Sequence, residues 1–219
     1  EELPKADVVH IFGIYDLLGP VAAHFTKRVG SPYLLETMGM FPARGRSKVA
    51  KHLYHLALGR SLVRHAQRVI VSSEQERGDV CSRGVPESQV VIRRNGVHVP
   101  ETAQAGGEFR RAHAIAADAR MVLFLGRLVP EKGIETLLRA FARVMLRDQG
   151  MNANRRWVLI IAGPCDDPRY LATLANLTAA LDLQHAVRFV GGLYGNAKWS
   201  AIRDATFIVQ PSIRESFGN

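Results

Sequence analysis

Twice along its length, the chain alternates short apolar runs with stretches of helical spacing, and each time the pattern closes on glycine or a polar turn. Asp7-Val8-Val9-His10-Ile11-Phe12, closed by Gly13, reads as a buried strand. Residues 17–29 place apolar side chains at helical spacing and stop at Gly30, and Pro32 to Glu36 is a second strand followed by Gly39. A long amphipathic helix is expected from about Ser47 to His65, then a third strand at Arg68–Val71. Ser72-Ser73 can cap the next helix, with Glu76 in its first turn. Val90–Ile92 is a fourth strand that turns at Asn95-Gly96. After residue 119 the alternation restarts, with strands at 121–125, 157–162, 187–190 and 207–209. Helices are expected between them at about 133–147, 168–181 and 196–203.

Repeated β-α-β with continuous apolar strands predicts parallel sheets covered on both faces. The fold class is therefore α/β, with two Rossmann-like doubly wound lobes. Residues 1–100 form the first and 120–219 the second. The stretch 101–119 between them has few large apolar side chains and reads as a connector containing a short helix. The chain starts just before a strand and stops just after one, so both lobes are expected to be incomplete. In open sheets of this kind, ligands sit beyond the carboxyl ends of the strands. That rule directs attention to the strand-to-helix loops.

Composition narrows the classes further. No run of about 18 apolar residues exists, and the opening lacks the basic-then-apolar layout of a secretory signal. Cys81 and Cys165 form no metal spacing and no disulfide framework. These features predict a cytoplasmic protein. The formal charge of +9 is spread over both halves, with 14 Lys/Arg against 9 Asp/Glu before residue 100 and 15 against 11 after it. Such a balance favours a polyanionic partner without naming it. The cations stand at strand-to-helix loops with few aromatics beside them, so no nucleic-acid partner is expected. P-loop, GxGxxG, HExxH and GxSxG motifs are absent, which removes support for kinase, dehydrogenase, zinc-protease and α/β-hydrolase chemistry.

Two stretches carry the chemistry. Gly126-Arg127-Leu128-Val129-Pro130-Glu131-Lys132-Gly133 follows one strand and opens a helix. Gly126 admits close backbone approach, Arg127 offers a planar fork for phosphate oxygens, and Lys132 adds a point charge. The positive end of the helix points into the same space. Such a set can hold a diphosphate without a metal, although spacing alone fits a solvated loop with two surface cations equally well. Pro211 to Asn219 lies past another strand. There Glu215 is placed to accept from sugar hydroxyls, and the amides from Ser216 to Asn219 can form an anion nest.

In order and separation, GRLVPEKG, VLIIAGP, VRFVGG and PSIRESFGN resemble the donor lobe of family-4 (group 1) glycosyltransferases. DVVHIFG, SPYLLETMGMF and RRNGV resemble that family's acceptor lobe. The resemblance implies the two-lobed GT-B fold and transfer of a hexose from a UDP- or GDP-sugar with retention of anomeric configuration. It implies that Arg127 and Lys132 hold the donor diphosphate and neutralise the departing nucleotide, aimed where charge develops. Glu215 matches the first glutamate of the family's E-x7-E pattern, and Ser216, Phe217 and Gly218 match the segment that approaches the donor sugar and phosphate. Gly191 and Leu193 match the loop on which the nucleobase rests. No metal or other cofactor is implied.

The sequence departs from the pattern in three places. The second glutamate would fall at position 223, Met38 stands where many relatives have a histidine, and the family's first acceptor-side strand would lie upstream of Glu1. This fragment is therefore expected to be inactive by itself. A glycan or lipid-linked acceptor is expected. Arg44, Arg46, Lys48 and Lys51 offer either a solvated basic face or peripheral contact with the inner membrane face. The alternatives are a nucleotide-sugar epimerase of the same fold or a non-catalytic nucleotide-sugar-binding homologue.

Overall fold

The computed structural model describes residues 6–41, 48–94, 96–97, 99–100, 106–151 and 156–213. They fall into two compact units, one within Glu1–His98 and one within Val99–Glu215.

In the first unit, β1 (Val9–Phe12), β2 (Tyr33–Glu36), β3 (Arg68–Val71) and β4 (Val90–Ile92) lie in sequence order, each parallel to the next. Between β1 and β2 runs α1 (Leu18–Val29), ended by Gly30 in the left-handed region at φ 74°. The long helix expected from Ser47 to His65 is found as α2 (Lys48–Tyr54), a π-helical turn (His55–Gly59) and α3 (Arg60–Arg64). Within the π turn it is Gly59 that leaves room for the His55 ring, because a Cβ there would lie 2.7 Å from its Nδ1. The last helix of the unit is α4 (Glu74–Cys81), where the Ser73 hydroxyl accepts from the Glu76 amide.

A sheet built in order 1-2-3-4 through right-handed crossovers puts its helices on one side. Ile11, Leu35, Val69 and Val71 accordingly pack with Ala23 of α1, Leu62 and Val63 of α3, and Val80 of α4. Among the described residues the opposite face is less covered, and Phe12 and Val91 there are 56% and 43% exposed.

The second unit winds both ways. Its elements are α5 (Glu108–Ala112), β5 (Arg120–Leu125), α6 (Ile134–Met151), β6 (Trp157–Ala162), α7 (Pro168–Ala180), β7 (Val187–Gly191), α8 (Gly195–Asp204) and β8 (Phe207–Ile208). The sheet is parallel in order β7-β6-β5-β8. Val122 and Phe124 of β5 join Leu138, Phe141 and Leu174 on the α6/α7 side, whereas Met121 and Leu123 join Phe109 and Ala201 on the α5/α8 side. Burial of both faces is why β5 reads as an unbroken apolar run.

The stretch read as a connector holds α5, and from Gly107 onward it is tied to α8. The Asp204 carboxylate accepts from the Gly107 and Arg110 amides, and the Arg110 guanidinium donates to the carbonyls of Asp204, Ala116 and Ala119.

Candidate functional site

Between β5 and β8 the direction of winding reverses, and an open parallel sheet leaves a crevice at the carboxyl ends of strands at such a point. The loop after β5 and the loop after β8 meet there. The Gln210 side-chain amide donates to the Leu125 carbonyl at 2.7 Å, and the Ile213 amide donates to the Glu131 carbonyl at 3.0 Å. Gly133 has φ 68°, and a Cβ on it would lie 2.3 Å from the Pro211 carbonyl oxygen. Only glycine fits this contact.

Arg127 is exposed on the loop after β5, and its guanidinium has no hydrogen-bond or ion-pair partner among the described residues. Lys132 ends a 3₁₀ turn, Pro130–Lys132, that Gly133 caps. Helix α6 begins at the next residue, so its first-turn amides open behind the same loop.

A second glycine contact, not noticed in the sequence, extends this floor. A Cβ on Gly163, after β6, would lie only 1.7 Å from the Gly126 carbonyl oxygen, and the Gly163 amide donates to the Gly191 carbonyl at 2.7 Å. Gly126, Gly163 and Gly191 thus stand side by side at the ends of β5, β6 and β7. Leu193 leaves this row. Its side chain packs with the α5/α8 cluster and lines a groove of about 220 Å³ with Phe109, His113 and Asn196.

Two buried hydroxyls, Tyr170 Oη on α7 and Ser212 Oγ on the loop after β8, find no hydrogen-bond partner among the described residues. Buried polar atoms are rarely left so. Burial, with Glu135, Cys165 and Glu131 nearby, raises the Tyr170 pKa and keeps the phenol a donor. Glu215, Ser216, Phe217 and Gly218 lie outside the described residues.

In the first unit the segment Thr37-Met38-Gly39 follows β2, with Met38 and Gly39 in the left-handed region at φ 52° and 74°. The Glu76 carboxylate holds it. One oxygen accepts from Thr37 Oγ1 and the Gly39 amide, each at 2.5 Å, and the other accepts from the Ser72 amide and hydroxyl at 2.8 and 2.9 Å. The capping-box reading found the Ser73 cap but not this destination for Glu76. Arg93, after β4, reaches both carboxylate oxygens of the buried Glu36 at 2.6 and 2.7 Å, and His10 Nε2 stands 3.1 Å from the same group.

Comparisons with known proteins agree with this architecture. Residues 107–219 match the family described as glycosyl transferases group 1, and residues 2–96 match the glycosyl transferase 4-like domain. An uncharacterized glycosyltransferase, MJ1607, of Methanocaldococcus jannaschii is 34% identical over 157 residues, covering 69% of this chain and 38% of that protein. The GDP-mannose:cellobiosyl-diphosphopolyprenol alpha-mannosyltransferase of Xanthomonas campestris is 30% identical over 218 residues, 98% of this chain and 52% of that protein. Among solved structures, Anabaena HepE in complex with UDP superposes with a TM-score of 0.72 at 17% identity, over 97% of this chain and 55% of that one. The chain thus spans about half or less of the length of these relatives.

Proposed function

The chain belongs to the group 1 glycosyl transferases, and from that membership we propose that it moves a hexose from a UDP- or GDP-sugar to an acceptor hydroxyl with retention of configuration. The observation that carries this reading is the switch point between β5 and β8. There an exposed arginine, a lysine and a helix start share one loop, fitted without side-chain bulk against its neighbours.

In the proposed reaction the bond from the anomeric carbon to the diphosphate oxygen breaks, and negative charge grows on the leaving nucleotide. Arg127 and Lys132 are assigned to that charge, which preorganised cations stabilise most where it develops. Gly126, with the Gly191 loop, gives the diphosphate and base their close backbone approach. Leu193 is assigned to the base through the groove it lines beside α5 and α8. Glu215, with Ser216, Phe217 and Gly218, is assigned to the donor sugar because Pro211–Ile213 delivers the chain to the Lys132 loop.

The acceptor is proposed to be a lipid-linked glycan, on the strength of the alpha-mannosyltransferase that matches almost the whole chain. Peripheral contact with an anionic membrane would accompany such an acceptor, with the enzyme on the cytoplasmic side. No helix among the described residues is long and apolar enough to cross a membrane.

The test is nucleotide binding without metal. UDP or GDP is expected to bind in calorimetry, and Arg127→Ala or Lys132→Ala should each weaken it by about 2 kcal/mol, some 30-fold. Unchanged affinity in both variants would remove the diphosphate assignment. A panel of labelled nucleotide sugars separates the reactions: donor hydrolysis or transfer supports the transferase, and epimer formation the epimerase.

A further inference from the structure

The helical layer of the first unit has an unusual surface. Helices α1, α2 and α3 and the π turn together contain six Lys or Arg and no Asp or Glu. On the same layer Leu17, Leu18, Val21 and Phe25 are 46–77% exposed, and Leu53 and Leu56 are 60% and 48% exposed. Apolar side chains of this size set among an excess of cations, with Asp16 at the start of α1 and the acidic residues of α4 as the nearby anions, suit a surface that meets amphiphilic anions.

Between α1 and α3 the layer opens into a groove of about 520 Å³, within the range of sites that hold small ligands. Leu17, Val21 and Phe25 form one wall, and Leu58, Ser61 and Leu62 the other. Tyr33 forms the floor, where its hydroxyl is spent on the Leu62 carbonyl at 2.6 Å. The floor therefore offers an incoming molecule a ring rather than a free polar group. Because α1 follows β1, the Leu17 end of the groove lies toward the carboxyl end of the sheet. Lys27 lies one helix length away, at the other end.

We propose that this groove holds the isoprenoid tail of a polyprenyl-diphosphate-linked acceptor. The tail would run from the strand ends toward Lys27, with its anionic head among the cations of the layer. The proposal rests on the lipid-linked acceptor reading above and gives it a place. A tail accounts for a groove whose lining is mostly apolar, with His24, Lys27 and Ser61 the polar side chains on it besides the spent Tyr33 hydroxyl. A free glycan would leave the exposed leucines, valine and phenylalanine without a role, and charge complementarity requires the ligand's head to be anionic.

The experiment uses the chain itself with geranylgeranyl diphosphate, inorganic pyrophosphate and UDP as probes in calorimetry. Geranylgeranyl diphosphate is expected to bind at least tenfold more tightly than pyrophosphate. Ser61→Trp, on an exposed helical position, should fill the groove and cost that preference, as should Val21→Trp. Both variants should keep the wild-type melting temperature and UDP affinity. Equal binding of the prenylated and bare diphosphates, or wild-type affinity in both folded variants, would overturn the proposal. Equal sedimentation of wild type and variants with phosphatidylglycerol vesicles, with no discrimination between the two diphosphates, would overturn it in favour of general membrane contact. Loss of UDP binding in the wild type would instead strike the donor reading and leave the groove result standing.

Discussion

Gly133 and Gly163 show how much of the donor loop is decided by atoms a side chain lacks. A Cβ at either position would meet a backbone carbonyl of a neighbouring loop, and Gly133 also holds φ 68°. Gly133→Ala is expected to lower the stability of the second unit by at least about 2 kcal/mol and to weaken UDP binding, read by urea unfolding and calorimetry. Glu76 is the counterpart in the first unit: it is 3% exposed and accepts from four donors. Glu76→Gln puts an amide donor against donors and should cost about 3 kcal/mol in the far-UV unfolding transition. Tyr33 and Tyr54 add a dependence on pH. Burial pushes both phenols up to about 12, with Asp16 adding to the effect at Tyr54. A raised folded pKa means their contribution is complete below the ordinary value of 10.0 and is lost as pH climbs toward 12. Absorbance at the phenolate band should therefore rise for these two only together with unfolding. At this scale the sequence was partly legible. Arg127, Lys132 and Gly126 stood out by type and spacing, but the close approach of Gly163 to Gly126 and the reach of Glu76 to Thr37 and Gly39 did not, because each spans 37 residues or more.

The strands and most helices were readable one at a time, since continuous apolar runs and glycine stops are local signals. Arg68–Val71, Val90–Ile92 and Trp157–Ala162 have the bounds expected of them. Two elements were not readable in this way. The π turn at His55–Gly59 depends on His55, whose Nε2 lies 3.1 Å from the Phe41 carbonyl and whose ring meets Phe41 and Tyr15 edge to face. Helical periodicity carries no trace of such a tertiary demand. Gly59→Ala is expected to displace that ring and return the turn to regular helix, visible as a melting-temperature loss of several degrees and a shifted His55 resonance. The other element is α5, whose sparse apolar content hid a packed helix: Phe109 alone is buried in it, and polar contacts to Asp204 do the rest.

Two separate cores, each with its own parallel sheet, account for the molecule's organisation. The class of fold followed from the doubled β-α alternation. Strand order did not, because nothing local says that β8 returns to the side of β5. Both tryptophans, Trp157 and Trp199, belong to the second unit. Their fluorescence should report the shift in melting caused by UDP, while Glu76→Gln should move the circular-dichroism transition of the first unit and leave the tryptophan signal in place. That return of β8 also has a consequence during synthesis. Val122 pairs with Phe207, and the Gly133 turn rests on Pro211, so a nascent chain leaving the ribosome carries its cationic loop for some 80 residues before the strand that braces it arrives. Anion-binding competence is thus among the last properties translation confers, and a stalled ribosome would present three paired strands with the loop's glycine hinge unbraced.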